Sequence, residues 1–217
     1  MKYSTVIWDL DGTLLDTLQD LADAVNHALQ SCGMPCRTLE EIRQFVGNGV
    51  RKLMIRAVPE GEANPLFDHA FDVFQKYYLA HCQDNTRPYD GIISALQQLK
   101  EHGVRMAIVS NKLQEGVTEL HEKWFAKYID VAVGERAGLQ RKPASDMVYF
   151  AMKQLGADTE KTIYIGDSDV DILTAQNTGI PCISVSWGFR DREFLLAHGA
   201  ENIAASPEDV VEMIIKK

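Results

Sequence analysis

Two aspartates two residues apart, at the point where an apolar run stops, constrain this chain more than any other feature: Asp9-Leu10-Asp11-Gly12-Thr13. Val6, Ile7 and Trp8 read as a short buried β-strand, and side chains two apart on an extended backbone point the same way. Asp9 and Asp11 therefore converge at the strand's carboxyl end, where Gly12 permits a sharp turn. Converging carboxylates repel and require a cation or a shared proton. A hard, oxygen-preferring ion such as Mg²⁺ suits them. A metal beside a carboxylate nucleophile and a second carboxylate makes phosphoryl transfer through an aspartyl-phosphate feasible. On their own the five residues also fit an acidic loop or a broken calcium loop. A calcium loop of the EF-hand type, however, places its glycine at position six, and Gly12 stands at position four.

The 217 residues suffice for one large domain, or for a domain carrying an insertion. With 46% hydrophobic and 24% charged residues the chain has ordinary globular composition. A net charge of −9 without a cluster of lysine and arginine argues against nucleic acid as a partner. It still allows a small phosphorylated metabolite, held where cations concentrate in one cleft. No apolar stretch approaches the ~20 residues that span a bilayer. Met1-Lys2-Tyr3-Ser4 runs straight into the first strand and leaves no room for a signal peptide. No membrane partner is expected, and the expected location is the cytoplasm. Cys32, Cys36, Cys82 and Cys182 lack zinc-ligand spacing; Cys32 and Cys36, which straddle a helix end, are expected as reduced thiols.

From about Thr17 to Cys82 the chain is helical, with no strand-like run. Leu18, Leu21, Ala22, Val25, Ala28 and Leu29 recur at helical spacing, and Gly33 can close that helix. Thr38-Leu39-Glu40-Glu41 is a capping box. Gly47-Asn48-Gly49 interrupts the pattern, which Val50, Leu53, Met54 and Ala57 resume. Asn64-Pro65 offers a cap and a first-turn proline to a longer helix whose Phe67, Phe71 and Phe74 are spaced for packing. From Arg87 onward strands alternate with helices: strands at 104–109, 131–133, 162–165 and 182–185, helices at 92–102, 113–123, 145–155 and 169–177, and a last helix from Pro207. Such alternation predicts an α/β fold, a parallel sheet covered on both faces. The expected division is a core of residues 1–15 and 84–217 with an inserted helical domain, 16–83.

Ligands of such sheets bind beyond the carboxyl ends of the strands. The first strand delivers Asp9 and Asp11. The second ends in Ser110-Asn111-Lys112, a hydroxyl followed by the N–H groups of an expected helix start; Ser110 reads as anion ligand, as N-cap, or as both. After the third comes Arg141-Lys142-Pro143, and the fourth ends in Gly166-Asp167-Ser168-Asp169-Val170-Asp171. Helix capping accounts for one of those last acids but not for three.

These four boxes, in this order, resemble the motifs of the haloacid dehalogenase superfamily over essentially the whole chain. The resemblance implies a Rossmann-like core with a helical-bundle cap. It makes Asp9 the nucleophile and Asp11 the acid that protonates the leaving oxygen and then activates water. Mg²⁺ would be held by the Asp9 carboxylate, the main-chain carbonyl of Asp11 and the Asp167 carboxylate, with Asp171 orienting its outer ligands. Ser110, the N–H of Asn111 and Lys142 would hold the phosphoryl oxygens. Val46-Gly47-Asn48-Gly49, Arg56-Ala57 and Trp187-Gly188-Phe189-Arg190 are similar to the phosphoglycolate phosphatase branch. Trp8, where that family commonly has Phe, and Ala144-Ser145, in place of a proline-containing stretch, depart from the pattern without touching the chemistry.

The expected activity is hydrolysis of a small phosphate monoester, 2-phosphoglycolate or similar, by a monomer or homodimer. The alternatives are a phosphomutase of the β-phosphoglucomutase type and a non-catalytic phosphate-binding module. An acid at position 11 sets the chain apart from the dehalogenases and the transport ATPases. Asn48 is a candidate for substrate contact from the cap, or else a helix-end turn; Arg190 is a candidate for reaching the site, or else a surface arginine. The six histidines show no catalytic pattern.

Overall fold

The computed structural model describes residues 2–47 and 49–215. The chain divides into two compact units, Met1–Leu14 with Pro88–Lys217, and Leu15–Arg87. The first unit opens with β1 (Thr5–Trp8), every residue of which is buried.

In the second unit, β2 (Leu15–Asp16) leads, among the described residues, into four α-helices and a short 3-10 turn (Gly61–Ala63), and the segment closes with β3 (Arg87–Pro88), which pairs with β2. Helix α1 (Leu18–Ser31) is amphipathic and buries Leu21, Ala22, Ala24, Val25, Ala28 and Leu29. Helix α2 (Leu39–Phe45) begins at the expected capping box. The Glu41 N–H donates to Thr38 Oγ1 at 3.2 Å, and the Thr38 N–H donates to Glu41 Oε2 at 2.8 Å. Helix α3 (Val50–Ala57) follows Gly49, whose φ is +84°. Helix α4 runs Phe67–His81, two residues later than the proline signal suggests. Asn64 is not its cap: the residue preceding the helix is Leu66, and the Asn64 side chain accepts from the Leu66 N–H at 2.9 Å within a turn, so Pro65 lies before the helix. Phe67 and Phe74 are buried with α1 and α3 side chains, and Phe71 packs at the margin of this core.

The unit's two ends are fastened at Asp20. Its Oδ1 accepts from the main-chain N–H and side-chain Nδ2 of Asn85 at 2.8 and 2.9 Å. Its Oδ2 accepts from the N–H and hydroxyl of Thr86 at 2.9 and 2.7 Å.

The larger unit continues with α5 (Ile92–Glu101), β4 (Arg105–Leu113), α6 (Gln114–Leu120), β5 (Val131–Glu135), α7 (Asp146–Leu155), β6 (Thr162–Gly166), α8 (Asp169–Thr178), β7 (Cys182–Val185), α9 (Arg192–Ala197), β8 (Ile203–Ala204) and α10 (Pro207–Ile215). Six strands form one sheet in the order β5-β4-β1-β6-β7-β8. Every pairing in it is parallel. Ile7, Ala107, Val109, Val133 and Tyr164 share one face with Met147, Val148, Ala151 and Met152 of α7 and Ala175 of α8. Alternation sends Val6, Trp8, Met106, Ile108, Ile163 and Ile165 to the opposite face, where they too are buried. None of the four cysteines is in a disulfide, and no helix among the described residues is long and apolar enough to cross a membrane.

Candidate active site

Register assembles the site. Trp8, the last residue of β1, lies opposite Ile108 of β4 and Ile165 of β6, and the Asp9 N–H still donates to the Ile165 carbonyl at 2.8 Å. Asp9 is thus level with Val109 and Gly166, and the chain's next polar residues, Ser110 and Asp167, emerge one step further along the same edge. Gly166 makes room for Asp171: a Cβ there would stand 2.3 Å from the Asp171 Cγ.

Lys142 is the hub. Its ammonium, 5% exposed as a residue, donates to Asp9 Oδ1 at 2.6 Å, Asp171 Oδ1 at 2.8 Å and the Tyr164 hydroxyl at 3.0 Å. Both oxygens of Asp171 are engaged. The Tyr164 hydroxyl also donates to Oδ1 at 3.1 Å, and Oδ2 accepts from the Ser168 N–H and hydroxyl at 3.1 and 2.6 Å. Asp171 therefore caps α8 and fixes Lys142 at once. Asp167 is held from the other side: its Oδ2 accepts from the Phe189 N–H at 2.6 Å, and Thr13 Oγ1 lies 3.5 Å from Oδ1.

Carboxylate oxygens of Asp9, Asp167 and Asp171 lie within 4.8 Å of one another, and all three residues are buried. Burial, together with the Asp171 charge, pushes Asp9 well above the usual carboxylate range, against the pull of Lys142. The same two causes raise Asp167 to about 7. For Lys142, burial alone would lower the ammonium, but Asp171 and Asp9 more than offset it and hold it well above the ordinary lysine value. One ammonium among three acids leaves an excess of buried negative charge. The donor set is oxygen alone, which fits a hard divalent cation such as Mg²⁺ and not a soft metal. With Asp171 already saturated by hydrogen bonds, Asp9 and Asp167 are the carboxylates best able to ligate directly.

Asp11 stands apart from this cluster, with the Lys112 ammonium 3.4 Å from its Oδ1. Ser110 is buried, but not at a helix start as its sequence suggests: β4 runs on through it to Leu113 with a register shift after Val109, and α6 begins at Gln114. The strand continues because it still has β5 to pair with, Leu113 lying opposite Glu135. Ser110 Oγ accepts from the Lys112 N–H at 3.2 Å, but the residue that precedes α6 is Leu113, so Ser110 is not its N-cap. Arg190 stacks its guanidinium 5.2 Å from the Phe194 ring centroid, and its charge is among those that pull Asp167 down. Asn48 lies outside the described residues.

Four supporting roles escape a reading of the sequence, although it singles out Asn111, Trp187 and Gly188 on other grounds. Asn111 uses its side chain to hold Lys142 in place: Oδ1 accepts from the Lys142 N–H at 2.8 Å and Nδ2 donates to its carbonyl at 3.0 Å. Tyr164 was signalled only as a polar group inside a buried strand, where its hydroxyl must find a partner. Trp187 donates from Nε1 to the Thr13 carbonyl at 3.0 Å. Gly188 lies so close to the first loop that a Cβ would stand 2.2 Å from the Gly12 carbonyl oxygen and 2.4 Å from Asp167 Oδ2.

Residues 6–185 match the family model described as haloacid dehalogenase-like hydrolase. The phosphoglycolate phosphatase of Pseudomonas fluorescens is 33% identical over 97% of this chain and 77% of its own length. That of Thiobacillus denitrificans is 34% identical over 87% and 86%. A crystal structure from Lactobacillus delbrueckii subsp. bulgaricus, of a protein provisionally named a phosphoglycolate phosphatase, superimposes with a TM-score of 0.95 at 38% identity over the whole of both chains. With the acidic boxes and the lysine assembled at one sheet edge, and with similarity along nearly its full length, the chain belongs to the haloacid dehalogenase-like hydrolase family.

Proposed function

We propose that the protein is a Mg²⁺-dependent phosphatase that hydrolyses a small phosphate monoester, 2-phosphoglycolate or a close analogue, through an aspartyl-phosphate on Asp9. The observation that carries this reading is the Lys142 ammonium 2.6 Å from Asp9 inside a buried cluster of three carboxylates. A nucleophile needs such a neighbour to accept a dianionic phosphoryl group beside other acids.

Asp9 attacks phosphorus, forming an aspartyl–phosphorus bond as the ester bond breaks, while Asp11 gives its proton to the departing oxygen. Asp11 then takes a proton from water, the water oxygen attacks phosphorus, and the Asp9–phosphorus bond breaks to release phosphate. Lys142, the Ser110 hydroxyl and the Asn111 N–H hold the phosphoryl oxygens. Asp9 and Asp167 by their carboxylates and Asp11 by its carbonyl would hold Mg²⁺, with Asp171 behind them; when bound, the ion offsets the clustered charge and draws electron density from the phosphoryl group. The helical unit is assigned the cap's part, selection of the leaving group, with Asn48 its candidate contact. The enzyme would act in the cytoplasm as a monomer or homodimer.

Phosphate release with Mg²⁺ across 2-phosphoglycolate, sugar phosphates, nucleotides and pyrophosphate tests the substrate. A kcat/KM for 2-phosphoglycolate at least about tenfold above the others is expected; turnover that converts a sugar phosphate to its isomer without releasing phosphate would replace the hydrolase with a mutase. Asp9→Asn should abolish turnover in folded protein. Retained activity would exclude the covalent route.

A further inference from the structure

We infer that Lys112 binds an anionic group on the leaving alcohol, and so makes the site selective for phosphate esters that carry a carboxylate next to the ester oxygen. The inference rests on the proposed reaction and assigns a residue which that reaction leaves unused.

Two lysines, Lys142 buried and Lys112 partly buried, divide the site between them. Lys142 is committed to the nucleophile's side by Asp9, Asp171 and Tyr164. Lys112 is on the other side: its ammonium is 3.4 Å from Asp11 Oδ1, and its side chain is only 12% exposed. Asp11 is the group that meets the leaving oxygen, so an ammonium beside Asp11 is beside the leaving group. In 2-phosphoglycolate the carboxylate carbon is two bonds from that oxygen. An ammonium carries three donors in a compact head, and can bridge Asp11 and a second carboxylate.

The local structure aims it there. The register shift between Val109 and Leu113 falls across Ser110, Asn111 and Lys112, and irregularities of this kind re-aim side chains at a sheet's edge. The lysine stem then lies along α6 where Gly116 leaves space: a Cβ at 116 would be 3.5 Å from Lys112 Cε, 3.6 Å from Cδ and 3.7 Å from Cγ. A long, flexible side chain laid along a helix glycine and largely covered loses much rotamer freedom before any ligand arrives, which lowers the cost of binding.

Lys112→Met keeps the stem's volume and removes the charge. The readout is the ratio of kcat/KM for 2-phosphoglycolate to that for phenyl phosphate, whose leaving group is neutral. A charge-assisted hydrogen bond predicts a fall in this ratio of about 10- to 100-fold. An unchanged ratio, whether both substrates slow together or neither does, would overturn the inference and show that Lys112 acts only through Asp11. A second measurement separates this from the reaction itself. In the Asp9→Asn background, calorimetry compares binding of 2-phosphoglycolate and phenyl phosphate with and without Lys112→Met. Selective weakening of 2-phosphoglycolate supports the inference even if the wild type never hydrolyses it, and in that case the proposed function alone fails. Equal affinities of the two esters before the change would sink the inference even if phosphate release is brisk.

Discussion

Gly188→Ala is the sharpest probe of how the site is held. The backbone at 188 is not in the left-handed region, so no positive φ opposes alanine there. What it meets is solid: the new Cβ would lie 2.2 Å from the Gly12 carbonyl oxygen, 2.4 Å from Asp167 Oδ2 and 2.5 Å from Asp167 Cβ. Non-bonded carbons rest at about 3.5–4.0 Å, so one wall or the other must retreat by roughly 1 Å. Neither wall is soft. A Cβ at Gly12 would already meet Asp167 Oδ2 at 2.4 Å and the Phe189 ring at 2.7 Å, so there is little slack on that side, and Asp167 is tied to the Phe189 N–H at 2.6 Å. Overpacking against rigid neighbours costs about 1–3 kcal/mol, which for a chain of this length lowers Tm by roughly 3–10 °C. A shift near 1 Å at the reacting centre costs on the order of 100-fold in rate.

The assay is kcat at saturating Mg²⁺ together with the Mg²⁺ concentration for half-maximal rate and, apart from activity, the Tm gained on adding Mg²⁺. Gly188→Ala should lose about 100-fold in kcat, need more Mg²⁺ and gain less Tm from it. Gly33→Ala supplies the control. Nothing lies within 4 Å of its Cβ position, and only its φ of +66° opposes the change, so it should lose about 1–2 kcal/mol of stability without affecting kcat. Wild-type kcat and Mg²⁺ response in Gly188→Ala would refute the claim that this segment positions Asp167 and the first loop.

Two further outcomes concern stability. Asp20→Ala strips four donors, two of them main-chain, of a partner that is 2% exposed. The cost should be about 3 kcal/mol and a Tm lower by roughly 5–10 °C, and an unchanged melting curve would show that Asp20 does not fasten the helical unit. The second concerns pH. Asp167 is raised in the fold to about 7, so its contribution to stability is complete below about pH 4 and is lost as pH rises through 7. In EDTA the protein should therefore lose a few kcal/mol between pH 5 and 8. Mg²⁺, which binds the ionised form, should restore it. The Tm difference between Mg²⁺ and EDTA should widen steadily over that range; a constant difference would mean that the acids are not the ligands.

What could be read from the sequence and what could not divide along one physical line. Thr38 with Glu41, and the glycines that end α7 and α8, signal through neighbours a few residues away, and those elements lie where the pattern puts them. Elements too short to carry a period, the six-residue α9 and two-residue β8, leave no such mark. Ser110 was misplaced at a helix start because the residues that keep β4 extended belong to β5, across the sheet. The site divides in the same way. Asp9, Asp11, Lys142, Asp167 and Asp171 stand out by residue type and by their place at strand ends. Asn111, Tyr164 and Phe189 act on partners 31, 22 and 22 positions away, and nothing in their own surroundings names those partners. Groups proposed to do the chemistry are recognisable one at a time, whereas those that fix the groups in place are defined by a pair. Variants at Asn111 and Tyr164 should therefore disturb the site through the placement of Lys142, with the acids still in the chain. That is the behaviour expected of an arrangement in which one buried ammonium holds together carboxylates that would otherwise repel.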